Sequence, residues 1–139
     1  MTKNTLKIKI TKDAKYSTGK RKTSIAKVWL IEGSGNVSVN NSEIKSYLKR
    51  DCLVYAALQP IKNIGVDKKY DVVIKAQGGG YTGQAYAIQI GLAKALVQLN
   101  ETFKKELKSD GFLTRDNRIK ERKKYGLRGA RKRPQYRKR

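Results

Sequence analysis

The chain has 139 residues, 38% of them hydrophobic, and carries 33 Lys and Arg against 11 Asp and Glu, a formal net charge of +22 at pH 7. That suffices for one modest domain, but self-repulsion of this size destabilises a compact state and calls for a polyanionic partner, nucleic acid or an anionic membrane surface. No apolar run approaches the roughly 20 residues of a bilayer-crossing helix, the single cysteine cannot form an internal disulfide, and the lack of histidine removes the commonest metal ligand and general acid or base.

The opening stretch MTKNTLKIKITKDAKYS has no apolar signal core, and its Lys-rich, Arg-free composition does not suit an organellar transit peptide, so it reads as retained in the mature protein. Within it Leu6, Ile8 and Ile10 alternate with Lys7 and Lys9, which predicts a strand. The run Ile25–Ile31 predicts a second strand, leaving the basic STGKRK segment between the two. Gly33-Ser34-Gly35 then turns the chain into Val37-Ser38-Val39, which reads as the return strand of a β-hairpin. Ser42 and Glu43 start a helix in which Ile44, Tyr47, Leu48, Cys52, Tyr55 and Leu58 recur at steps of three and four, running to about Gln59 before Pro60 ends it. In that pattern Cys52 reads as a small buried filler rather than a nucleophile. Tyr70–Ala76 is another expected strand. Gly78-Gly79-Gly80 interrupts the chain, and Gly83-Gln84 opens a second helix, with Ile88, Leu92, Ala95, Leu96 and Leu99 on one face and small residues elsewhere that permit close packing on a sheet. A short amphipathic piece with Phe103, Leu107 and Phe112 completes the body.

The charge is segregated. Residues 1–27 hold nine basic and one acidic residue, 28–114 eleven and eight, and 115–139 thirteen and two. This divides the chain into an N-terminal extension at 1–15, a body at 16–114 and a basic tail at 115–139 in which apolar periodicity disappears. A tail of this composition cannot bury a core; it is expected to be extended, and to order only against its partner. Arginine sharpens the reading, because eight of the ten arginines fall in the tail, and guanidinium binds phosphate in a fixed fork and stacks on bases as ammonium does not. Tyr125 and Tyr136 add stacking surfaces. The candidate RNA contacts are Arg115, Arg118, Arg122, Lys123, Lys124, Arg128, Arg131, Lys132, Arg133 and Arg137 in the tail. Lys20, Arg21 and Lys22 join them from the segment Ser17–Ser24, where hydroxyls flank the cations; such a cluster would also serve as a nuclear address.

Gly78–Gly83 before a helix start has the geometry that presents backbone N–H groups to a phosphate. The nucleotide-binding version needs Lys and Ser or Thr after the last glycine, and Gln84-Ala85 stands there instead. Crowding at a strand-to-helix corner explains the glycines at least as well. No carboxylate cluster suggests a magnesium site, so a phosphoryl-transfer enzyme is disfavoured. A basic nucleoid or nuclear DNA-binding protein is the nearest rival among binding proteins, and RNA-over-DNA preference would separate the two.

The segments TGKRKTSIAKVWL, GSGNVSVN, GGGYTGQAYAIQIGLAKAL and GFLTRDNRIKERKKYGLRGARKRPQYRKR together resemble the universal small-subunit ribosomal protein nine family, in its bacterial or organellar form, over residues 16–139. The spacing of the GGG triplet, Gly83-Gln84, Ala87, Gly91 and Lys94 looks like the family's central signature. The resemblance implies a two-layer α+β body of the ribosomal S-five second-domain type, with an unusual left-handed crossover, and no catalysis or cofactor. It implies a place in the head of the small subunit, in a bacterial cytoplasm or an organelle, among neighbouring head proteins and bound to small-subunit rRNA. It further implies a tail threaded towards the anticodon stem-loop of the P-site tRNA, with Lys138 and Arg139 matching the tip. The family usually has Ser before its final Lys-Arg, where this chain has Arg137, and residues 1–15 extend beyond the usual start.

Overall fold

The computed structural model describes residues 14–138; the strand expected over Leu6–Ile10 and the tip residue Arg139 lie outside the described residues. The first described strand, β1, is Lys15–Arg21, and it pairs antiparallel with β2, Ser24–Glu32, through a two-residue turn at Lys22-Thr23. The basic segment expected to connect two strands is therefore itself a strand. Gly19 explains the difference: it marks a close backbone approach rather than a bend, since a Cβ there would lie 1.9 Å from the Ala87 carbonyl oxygen and 2.5 Å from the Gly91 nitrogen.

Next come β3 (Val37–Val39), β4 (Ser42–Glu43), α1 (Ile44–Leu48), α2 (Asp51–Asn63), β5 (Tyr70–Gln77), α3 (Tyr81–Leu99) and α4 (Phe103–Ser109). The sheet order is β1-β2-β5-β3-β4. The hairpin expected between β2 and β3 does not form, because β5 inserts between them, antiparallel to β2 and parallel to β3. What looked like a hairpin turn at 33–36 is held by β5 instead: the Asp71 carboxylate accepts the backbone N–H groups of Ser34, Gly35 and Asn36 at 2.9, 2.9 and 2.8 Å. Asn40 continues the β3 to β5 ladder, its side chain donating to the Ala76 carbonyl and accepting from the Ala76 N–H.

The single helix expected from Ile44 to Gln59 is two helices. Lys49 adopts a left-handed conformation (φ 58°), donates its N–H to the Lys45 carbonyl, and is followed by an extended Arg50. The restart rotates the apolar stripe, so Leu53, Val54, Ala57 and Ile61 enter the core while Cys52 and Tyr55 are exposed. Cys52 is thus not the buried filler that one continuous helix would make it. Pro60 does not end α2 either. A proline inside a helix forfeits a hydrogen bond and costs about 3 kcal/mol, but here Pro60 is fully buried beside Ile61 and the helix continues to Asn63.

Ala26, Val28 and Leu30 of β2, in register with Ala76, Ile74 and Val72 of β5, form the buried face of the sheet. Against it lies α3, which buries Ile88, Leu92, Ala95 and Leu96 as expected and begins two residues earlier than Gly83. Leu107 of α4 and Phe112 close the end of this core. The result is a mixed α+β body. From residue 115 onward the described chain contains neither helix nor strand, and most of its side chains are exposed.

Candidate nucleic-acid interface

The glycines that resembled a phosphate loop position the β1–β2 turn. Gly78 and Gly79 have φ of 74° and 61°, and a Cβ on them would lie 2.6 Å from the Thr23 carbonyl oxygen and 2.2 Å from Ser24 Oγ respectively. The Gly78 carbonyl accepts from Ser24 Oγ and from Gln84 Nε2, both at 3.1 Å, and Gln84 Oε1 in turn accepts from the Tyr47 hydroxyl at 2.8 Å. Corner crowding therefore accounts for this motif. The same packing ties the turn to the start of α3. At the other end of β1, buried Ser17 donates its hydroxyl to the Gly91 carbonyl, and Lys94 Nζ donates to the Thr18 carbonyl at 3.5 Å.

Lys20, Arg21 and Lys22 sit at the tip so fixed. Lys20 and Lys22 are exposed, whereas Arg21 reaches across to the root of the tail. Its guanidinium pairs with the Asp116 carboxylate at 2.9 Å and donates to the Arg118 carbonyl at 3.0 Å. Arg118 folds back on the same carboxylate, at 2.8 Å, and its backbone N–H donates to it at 2.9 Å. Hydrogen bonds from the Arg118 side chain and then its backbone, reinforced by the charges of Arg118 and Arg21, hold the Asp116 carboxyl well below the usual carboxylate range; the Arg118 guanidinium is correspondingly raised. The tail thus leaves the body beside the basic turn. An open cleft of about 360 Å³ lies at this junction, lined in part by Arg21, Tyr86, Gln89, Phe112, Asp116 and Arg118.

A second carboxylate shapes the middle of the tail. Arg131 pairs with Glu121 at 2.9 Å and Lys124 approaches it at 3.7 Å. Donation from Arg131, then the charge of Lys124, depresses the Glu121 carboxyl. Between them the chain doubles back, with the Arg128 N–H donating to the Lys132 carbonyl at 2.8 Å. Arg115, Arg122, Lys123, Lys132 and Arg133 are exposed, as are Arg137 and Lys138, which form no hydrogen bond or ion pair among the described residues.

The candidate cations therefore fall into two sets. Arg21, Arg118, Lys124 and Arg131 are engaged with carboxylates and shape the tail, while the others that the structure describes are exposed and form no ion pair among the described residues. Sequence reasoning missed Asp116 and Glu121. Their signal was available: they are the two carboxylates in a tail of thirteen cations, where a solvated acid would only weaken attraction to a polyanion. No group of carboxylate and thiol side chains suited to a metal ion occurs among the described residues.

A sequence model of the family described as ribosomal protein S9/S16 matches residues 19–139. The chain is 52% identical over 134 residues to the small ribosomal subunit protein uS9c of Gracilaria tenuistipitata var. liui, covering 94% of this chain and 98% of the relative. It is 51% identical over 124 residues to the small ribosomal subunit protein uS9 of Syntrophobacter fumaroxidans, covering 89% and 95%. A third relative, uS9c of Cyanophora paradoxa, is 51% identical over 125 residues, covering 89% and 93%.

Proposed function

Because the chain belongs to the ribosomal protein S9/S16 family, in which it is a structural protein of the small ribosomal subunit and not an enzyme, we propose that it holds rRNA in the head of that subunit and reaches towards the P-site tRNA with its tail. The ribosome concerned is bacterial or organellar, in keeping with the bacterial and uS9c relatives. The body at 16–114 carries the basic turn, and the tail at 115–139 supplies the extended contact.

The observation that carries this reading is the junction at Asp116. Arg21 and Arg118 converge on one carboxylate, which launches a strongly basic segment from a defined point on the body. Arg115 just before that point and Arg122, Lys123, Arg128, Lys132 and Arg133 past it are free to contact rRNA phosphates, and Arg137, Lys138 and Arg139 end the reach with three consecutive cations. An extended chain passes between RNA helices too crowded for a globular domain and sets its terminal charge against a tRNA phosphate. Arg137 adds a cation to that approach, where the family pattern usually has a neutral hydroxyl.

The test is crosslinking from a photoreactive group at Lys138 in assembled small subunits carrying message and P-site tRNA. Crosslinks to the anticodon stem-loop are the expected result. Crosslinks confined to rRNA would reject the tRNA contact while keeping the ribosomal role, and exclusion of the chain from subunits would reject both.

A further inference from the structure

The face of the sheet opposite α3 has a composition of its own. Cross-strand register sets three rows on it: Lys20, Ile25 and Gln77; Thr18, Lys27 and Lys75; Tyr16, Trp29 and Val73. Trp29 is half-buried and Tyr16 is 43% exposed, their ring centroids 5.2 Å apart and the planes tilted by 41°. Lys75 Nζ stands 5.7 Å from the centre of the Trp29 ring. Lys27 and Lys75 are exposed and directly opposite one another, an arrangement in which like charges destabilise a sheet. Neither lysine is paired with a carboxylate among the described residues. Beside them is an open cleft of about 300 Å³, edged by Lys27, Lys75, Asn40, Asn41 and Gln77.

We infer that this open face is a second RNA-binding surface, distinct from the basic turn and the tail, that takes an unpaired stretch of RNA. Lys27 and Lys75 meet its phosphates, the Tyr16–Trp29 pair receives a base or ribose by stacking, and the Asn41 and Gln77 amides bordering the cleft offer hydrogen bonds to base edges. The charge pattern selects the occupant. Opposed lysines with no carboxylate partner among the described residues are relieved by a continuous polyanion, and a flat ring beneath a cation suits a nucleobase. The inference rests on the ribosomal reading above, but concerns a different face of the molecule.

Trp29 is the chain's one tryptophan, so its emission reports on this face. The full chain is titrated with a small-subunit rRNA transcript, with filter retention measuring binding in parallel. Trp29 emission is expected to be quenched in step with retention. K27Q/K75Q should bind about tenfold more weakly at low salt, with a slope of log K against log salt shallower by roughly 1.4 to 1.8, as loss of two phosphate contacts requires. K27R/K75R, which keeps both charges, should bind as the parent does, so a folding defect is told apart from lost charge. Retention without any change in Trp29 emission, or undiminished binding by K27Q/K75Q, would overturn the inference and leave the ribosomal reading intact. A Trp29 already shielded from acrylamide in the free chain, or shielded in assembled subunits but insensitive to RNA, would give the face to the chain itself or to a protein neighbour and overturn it equally. Absence of retention would remove both readings.

Discussion

Replacing Gly19 with alanine tests the contact on which the basic turn depends. The new methyl would lie 1.9 Å from the Ala87 carbonyl oxygen and 2.5 Å from the Gly91 nitrogen. A carbon meets a carbonyl oxygen at about 3.3 Å, so β1 and α3 must separate by roughly 1.4 Å. Both obstacles are backbone, which no rotamer change can clear. Separation also stretches the buried hydrogen bond from Ser17 to the Gly91 carbonyl. Overpacking costs about 1–3 kcal/mol and a weakened buried hydrogen bond about 1 kcal/mol, for a total near 3 kcal/mol. At about 3–4 °C per kcal/mol for a domain of this size, the melting midpoint followed by circular dichroism should fall by about 10 °C. Gly80→Ala is the control, because a Cβ there meets nothing within 4 Å and a changed cap costs less than about 1 kcal/mol. A Gly19→Ala midpoint within about 2 °C of the parent, or an equal fall for Gly80→Ala, would refute the argument.

Asp71→Ala removes the acceptor shared by three loop N–H groups; with water satisfying the exposed ones, denaturant unfolding should show a loss of about 2 kcal/mol, and Asp71→Asn, which keeps an acceptor oxygen, roughly half of that. Asp116→Asn removes the charge that gathers Arg21 and Arg118, so trypsin should cleave at the root of the tail several-fold faster while the melt of the body is unchanged. Acid acts on the same junction with a definite sign. A depressed carboxylate is fully bound above its ordinary value of about 4 and releases its partners only as pH falls through the lower folded value. The Arg118 side-chain resonances should therefore hold constant from neutral pH down to the ordinary carboxylate range, and move only in stronger acid.

The elements with a strong local pattern were legible in the sequence: β2, β5 and α3 lie where β-rich runs and three-and-four spacing put them. What escaped depends on contacts distant in the chain. Gly19 has the same local meaning as a turn glycine until α3 is laid against it. The separation of β2 from β3 is set by β5, which arrives after two helices, so adjacency in sequence pointed to the wrong neighbour. Lys49 breaks the helix without a glycine or proline to announce it, and Pro60 is tolerated because its ring is buried. At the interface, composition marked the cations but not their division of labour. That division depends on Asp116 and Glu121, whose partners lie as far away as Arg21. The open face was hidden for another reason: Ile25, Trp29 and Ile31 make both sides of β2 look apolar, so the face that Lys27 shares with Trp29 does not stand out.

The most direct measurement of the central claim is the salt dependence of binding to a small-subunit rRNA transcript, for the full chain and for one ended at residue 114. If half of the thirteen tail cations reach phosphates, each contributing about 0.7–0.9 to the slope of log K against log salt, the full chain should be steeper by roughly 4 to 6. Equal slopes would contradict the account, since the tail would then be contributing no phosphate contacts.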